Sequence, residues 1–328
     1  MLLRLFKTQE PFNLIILLFI AVGIRIPYLL DSSPIPYFHY NEPFSTFLFH
    51  NFESIWGLKT TNVLITTLIY YLLSLWFNKV INDFTLLHKN TLIPSLVFVI
   101  ITSIFPTFFT LDAAILILFF QIWMFIRLFR LYKTQNATMV SFDVGIIVAI
   151  ASLFYFPSIA WILLVWISLL IFRPFYWREW AASILGCLTP YLFVAFFYYW
   201  SNRWEDFIQI WRPLRGTFWQ INVFPHRGDY LPLIPIIFIL IIAFNKYREN
   251  FYKNVVQVRK SQQILIVSIF VTAFSFYIKP SFSINHFILL ALPLTVFISY
   301  YFIVAQKAWF SELLIVLLIF SCIIFQLI

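Results

Sequence analysis

Apolar runs close to 20 residues long recur from one end of this chain to the other, and they admit few folds. A helix rising 1.5 Å per residue crosses the roughly 30 Å hydrocarbon core of a bilayer in about 20 residues. No water is available there, so every backbone N–H and C=O must be satisfied within the protein, and such runs become helices. A soluble alternative fails on composition. The 328 residues are 62% hydrophobic and only 11% charged, with a mean hydropathy of +0.91, more apolar surface than a water-soluble domain can hide.

The pattern predicts an all-α, polytopic transmembrane bundle of about eleven helices, near 11–30, 61–82, 91–110, 112–132, 141–156, 158–173, 181–201, 230–246, 262–279, 286–305 and 310–328. The fifth and sixth are two helices or one unit broken at Phe156-Pro157-Ser158. Pro106, Pro157, Pro190 and Pro293 mark expected kinks. No internal repeat or separate soluble domain interrupts the pattern, so residues 1–328 read as one integral membrane domain. The first run lacks a small-residue cleavage site and is expected to stay as a helix. Cys187 and Cys322 both sit in apolar runs, where they read as small core residues.

Basic residues orient the bundle. With the N-terminus in the cytoplasm, the inner loops hold most of the 22 lysines and arginines, as the positive-inside rule requires. The outer set is Lys59, Arg203, Arg212, Arg215, Arg227 and Lys279, and Arg25 lies inside the first run. The net charge of +9 is then mainly a topology signal, with attraction to anionic headgroups, and nucleic acid is not an expected partner. Six glycines provide no phosphate-cradling loop, which argues against ATP-driven chemistry inside. Chemistry or binding is expected on the outer face, formed by 31–60, 106–111, 202–229 and 280–285. In a bacterium that is the external side of the inner membrane.

Several features on that face have both a functional and a structural reading. The polar island from Asp31 to Glu42 can present a carboxylate base beside apolar walls, or it is a solvated connector stopped by Pro34, Pro36 and Pro43. Residues 44–56 read as a helix lying in the interface. Asp112 can act in a site or simply complement the N-terminus of its helix. The loop from Arg203 through Arg212 and Arg215 to Asp229 suits phosphate or headgroups, or salt-bridges with its own acids. Lys279 and His286 can hold a lipid phosphate, or are a snorkelling lysine and a helix-start residue. Arg25, a cation at membrane depth, needs a partner. Asp31 is six residues away, so pairing requires a bend at Pro27 or a partner on another helix.

Taken in order, these features resemble GT-C-type glycosyltransferases. Ile24-Arg25-Ile26-Pro27-Tyr28-Leu29-Leu30-Asp31 followed by Tyr40-Asn41-Glu42-Pro43 is similar to the opening of that superfamily, an arginine-containing first helix leading into an acidic outer loop. The stretch from Phe105-Pro106 to Asp112 resembles the superfamily's second acidic position, and Ser283-Ile284-Asn285-His286-Phe287 to Pro293 a late helix near the lipid phosphate. The GT-C-like core is expected over about 1–230, with additional helices over about 230–328. Asn41 stands where the family commonly has a second acid beside Glu42. The aromatic-rich, glycine-poor character and the opening Phe6-Lys7-Thr8-Gln9-Glu10-Pro11-Phe12-Asn13 also resemble a poorly characterised family of bacterial integral membrane proteins.

The first resemblance implies transfer of a sugar from a polyprenyl-phosphate donor. Glu42 would be the base and Asp112 would position acceptor or metal. Arg212, Arg215 and Lys279, helped by His286, would neutralise the donor phosphate, while Arg25 and Asp31 support the structure. No cofactor is required by the sequence; a divalent metal remains compatible with the acids. The alternative is a non-catalytic subunit or scaffold of a cell-envelope complex, with membrane-protein partners.

Overall fold

The computed structural model describes residues 2–31, 42–51, 58–132, 134, 136–211, 233–278 and 284–327. These residues form α1 (Leu2–Phe6), α2 (Pro11–Gly23), α3 (Ile26–Leu30), α4 (Pro43–Asn51), α5 (Lys59–Asp83), α6 (Ile93–Ile101), α7 (Ala113–Arg130) and α8 (Ala137–Phe154). Then follow α9 (Trp161–Phe172), α10 (Trp177–Trp200), α11 (Trp204–Ile210), α12 (Leu233–Asn250), α13 (Val256–Ser275), α14 (Ala291–Val304) and α15 (Ala308–Leu327). Short 3₁₀ turns join them, and no strand occurs among the described residues. Among the described residues six helical segments are long and apolar enough to cross a membrane, as in a helical membrane protein. Pro11–Gly23, Phe156–Phe172 and Ala308–Ile324 are apolar but shorter.

The breaks are where the structure departs most from a regular set of spans. The first run divides between α2 and α3, at Ile24 and Arg25, just ahead of Pro27. A single helix is expected near 91–110, yet α6 covers only Ile93–Ile101. Nine residues span about 14 Å, half a bilayer core. The chain beyond it turns through a 3₁₀ segment at Pro106–Phe109. Pro106 explains the stop: it lacks an N–H and pushes its predecessor out of the α region, and Phe105 is extended at φ −108° and ψ 135°. A second break lies two residues ahead of Pro157, where Tyr155 is extended at φ −147° and ψ 104° before the turn Phe156–Ala160. The fifth and sixth predicted helices are thus two elements. Pro190, by contrast, sits inside an unbroken α10.

All residues of α6 are buried, with α5, α14, α2, α1 and α15 around it. This solves the problem of non-helical backbone at membrane depth, which is tolerated only when protein surrounds it. The most extensive helix pair is α8 with α10. Gly145 and Gly186 permit that approach: a Cβ on Gly145 would lie 2.2 Å from the Ser183 carbonyl oxygen, and one on Gly186 2.1 Å from that of Phe142. Small residues at a crossing let helix backbones come together where lipid gives no hydrophobic drive.

Candidate functional site

The helix breaks at 102–112, 155–160, 276–278 and 284–290 meet at one end of the bundle. The Pro106–Phe109 turn packs on Ile284–Leu290, and Phe156–Ala160 packs on Phe276–Ile278. Breaking a helix frees backbone donors and acceptors, which are costly to leave unpaired in a dry interior, at about 1–3 kcal/mol each. Here polar side chains from other helices take them up. Asn62 Oδ1 accepts the Leu111 N–H at 2.7 Å. Gln121 Nε2 donates to the Leu289 carbonyl at 3.1 Å. Ser45 donates its hydroxyl to the Phe154 carbonyl. Glu42 Oε1 accepts the Phe156 N–H at 3.2 Å.

Glu42 and Asp112 are therefore at the same end. Both are buried, at 3% and 5% exposure: Glu42 bonds Phe156, next to Tyr155, and Asp112 bonds Asn285, next to the His286 that meets the Tyr155 hydroxyl. Asp112 is the N-cap of α7: Oδ1 accepts the Ala113 N–H at 2.7 Å, and Oδ2 accepts from Asn285 Nδ2 at 2.8 Å. The capping expectation for Asp112 holds. It does not exhaust the residue, because the second oxygen reaches across to the late helix.

His286 is 2% exposed and lies inside the bundle. Its Nδ1 is 3.0 Å from the Tyr155 hydroxyl, while Nε2 is 3.0 Å from the Thr272 carbonyl and 3.2 Å from Ser275 Oγ. A carbonyl only accepts, so Nε2 carries the proton. In the neutral ring Nδ1 then accepts from Tyr155. His286 thus couples α13 to the break at Tyr155.

Arg25 belongs to the same end but has other company. Its guanidinium is 1% exposed and Nη1 donates to the Ala21 carbonyl at 2.7 Å. The rings of Tyr70 and Phe109 stand 5.4 and 5.2 Å from it, a cation–π arrangement. Nε and Nη2 find no hydrogen-bond partner among the described residues. The partner demanded by an intramembrane cation is thus aromatic, and the local break is one turn before Pro27. Asp31 ends α3 and its carbonyl accepts from Lys59 Nζ at 2.6 Å. Lys59 also covers the Tyr28 ring at 4.2 Å.

Arg212, Arg215 and Lys279 lie outside the described residues, as does the polar island over 32–41. Of the arginine-rich stretch, Arg203 pairs with Asp206 at 2.7 Å, the structural reading at that position. The region read as interfacial begins as α4, which packs on α8 with Phe44 5.2 Å from Phe154. Among the described residues no group of three or more His, Cys, Asp or Glu side chains is placed to hold a metal ion.

Tyr155, Asn62 and Gln121 enter the site without having been singled out, and Asn285 enters from the stretch quoted around His286. Asn62 and Gln121 did carry a signal, an amide inside an apolar run, since such groups must find partners. Tyr155 carried none, being one tyrosine of 17.

Residues 44–328 match a family of unknown function, DUF6427. The chain belongs to that family. The match starts two residues after Glu42 and includes Asp112, Tyr155, Asn285 and His286. No curated protein and no solved structure matches the chain.

Proposed function

We propose that this chain is a GT-C-like membrane glycosyltransferase, taking a sugar from a polyprenyl-phosphate donor at the outer face of the bacterial inner membrane. The observation that supports it is the gathering of Glu42 and Asp112, far apart in sequence, at one end of the bundle, on the residues beside Tyr155 and His286. In this reading the N-terminus is cytoplasmic and the additional helices complete about eleven spans. Glu42 takes the proton from the acceptor hydroxyl, whose oxygen bonds to the anomeric carbon. The anomeric C–O bond to phosphate breaks, and the polyprenyl phosphate leaves with the electron pair. Cations must meet that charge, and Arg212, Arg215 and Lys279 are assigned to it. A divalent metal is an additional means of neutralising it.

His286, buried against Tyr155 and Thr272, acts here by positioning Tyr155. Purified protein should release polyprenyl phosphate from the matching polyprenyl-phosphate sugar. Absence of turnover over a broad panel of such donors and acceptors counts against the reading.

A non-catalytic subunit of an envelope complex is the second reading. It is favoured by the structural bonds of both acids and by the aromatic face of α10, where Phe193, Phe197 and Trp200 are 73%, 66% and 78% exposed. A stoichiometric membrane partner that co-purifies and works unchanged with Glu42→Gln and Asp112→Asn supports this reading over the first.

A further inference from the structure

α9, α10 and α13 leave an apolar groove of about 420 Å³ that runs from Leu163 and Phe274, on the side of His286, to Leu170 and Trp180, within the range of about 300–1,000 Å³ common for ligand sites. Leu163, Leu170 and Phe274 line its open side, with exposures of 47%, 54% and 71%. Its inner wall includes Trp166, Trp180 and Val271. The two indoles stack at 5.5 Å with 20° between their planes. Trp166 Nε1 donates to Ser183 Oγ at 3.1 Å, so its polar edge is satisfied on the protein side.

The chain at the mouth of this groove is a headgroup zone. Between Leu170 and Trp180 lies Arg173-Pro174-Phe175-Tyr176-Trp177-Arg178-Glu179. Phe175, Tyr176 and Trp177 are exposed at 64%, 56% and 67%, as in aromatic belts at bilayer surfaces. Glu179 is buried and satisfied by Arg173 at 3.7 Å, so the acid of this turn is neutralised. Arg178 is exposed. Lys260, on α13, joins the same mouth: its Nζ is 3.4 Å from the Phe172 carbonyl. Apolar walls and a cationic rim are the complement of one lipid class.

We infer that this groove binds an acyl chain of an anionic phospholipid, whose headgroup phosphate is held by Arg178 and Lys260. The inference does not depend on the glycosyltransferase reading, because none of Glu42, Asp112, Tyr155 and His286 lines the groove. Each cation near an anionic surface contributes on the order of a fivefold preference.

The test is tryptophan quenching in vesicles holding equal fractions of dibrominated phosphatidylglycerol or dibrominated phosphatidylcholine. Phosphatidylglycerol should quench more, at lower mole fraction. The excess should vanish in Trp166→Phe/Trp180→Phe, and fall at least several-fold in Arg178→Gln/Lys260→Gln. Val271→Phe, which fills the groove but keeps the rim, should weaken quenching by both lipids. Equal quenching by the two lipids means ordinary boundary lipid and overturns the proposal. So does an excess that survives in the Trp166→Phe/Trp180→Phe protein, because the site then lies elsewhere. Indoles unquenched by either lipid mean that a protein helix covers the groove, which also overturns it. Arg178 is exposed and Lys260 half-buried; a changed thermal transition in the Arg178→Gln/Lys260→Gln protein would discard it in favour of Val271→Phe, which decides alone.

Discussion

Asn285 donates its side-chain amide to Asp112 Oδ2 at 2.8 Å, joining residues 173 positions apart at the place where two helices are broken. The other Asp112 oxygen caps α7, so one carboxylate holds the start of one helix and the approach to another. Asn285→Ala should destabilise the protein by up to about 1–3 kcal/mol, because it removes a hydrogen bond from a buried carboxylate. A double-mutant cycle with Asp112→Ala should show coupling of about 0.5–3 kcal/mol. Chemical unfolding in detergent checks both, and additive losses would mean that the two side chains act independently.

Glu42 separates a structural role from a chemical one. Its Oε1 accepts the Phe156 N–H, and the amide oxygen of Glu42→Gln accepts the same bond. Glu42→Gln should keep the thermal transition of the parent protein within a few degrees. Glu42→Ala leaves a buried N–H unpaired and should lose about 1–3 kcal/mol. Equal losses in the two variants would show that the charge itself holds the fold.

The α8–α10 crossing should tolerate nothing larger than glycine. Gly186→Ala places a Cβ 2.1 Å from the Phe142 carbonyl oxygen, so the backbones must separate. Folded yield in detergent should collapse. Gly23→Ala, with nothing within 4 Å of the new Cβ, should be neutral or gain up to about 1 kcal/mol. Comparable yields for Gly186→Ala and the parent would contradict the packing described for this pair.

Arg25 offers an inverted test. Two of its nitrogens lack partners among the described residues, and the cost of burying the charge is met by one carbonyl and two rings. Replacing a buried charge by an apolar residue of similar length is often neutral or stabilising by about 1–4 kcal/mol. Arg25→Met should therefore melt no lower than the parent protein. A fall of several degrees would identify Arg25 as a structural tie.

Much of this was legible in the sequence, for definable reasons. Hydropathy located the helices because a bilayer imposes length and internal hydrogen bonding together, and α7 at Ala113–Arg130 lies within two residues of the expected 112–132. Asp112 was legible as a cap because N-capping is a local geometry. The short α6 was not, because apolar residues continue past Ile101 into a segment whose path is set by Pro106 and by Asn62 on another helix. His286 was legible as a residue at the membrane edge, but its burial against Tyr155 was not, since its environment comes from α13 and the Tyr155 break. No pattern along the chain encodes a contact across 131 residues.

The measurement that tests the central claim most directly is turnover of polyprenyl-phosphate-linked sugars by purified parent protein and by Glu42→Gln, each with its thermal transition recorded on the same sample. Loss of a general base costs about 10²–10⁴-fold in rate. The account predicts at least a hundredfold drop in Glu42→Gln with an unchanged transition. Equal turnover by the two proteins, at equal stability, would contradict it and leave Glu42 as a stitch for the Phe156 backbone alone.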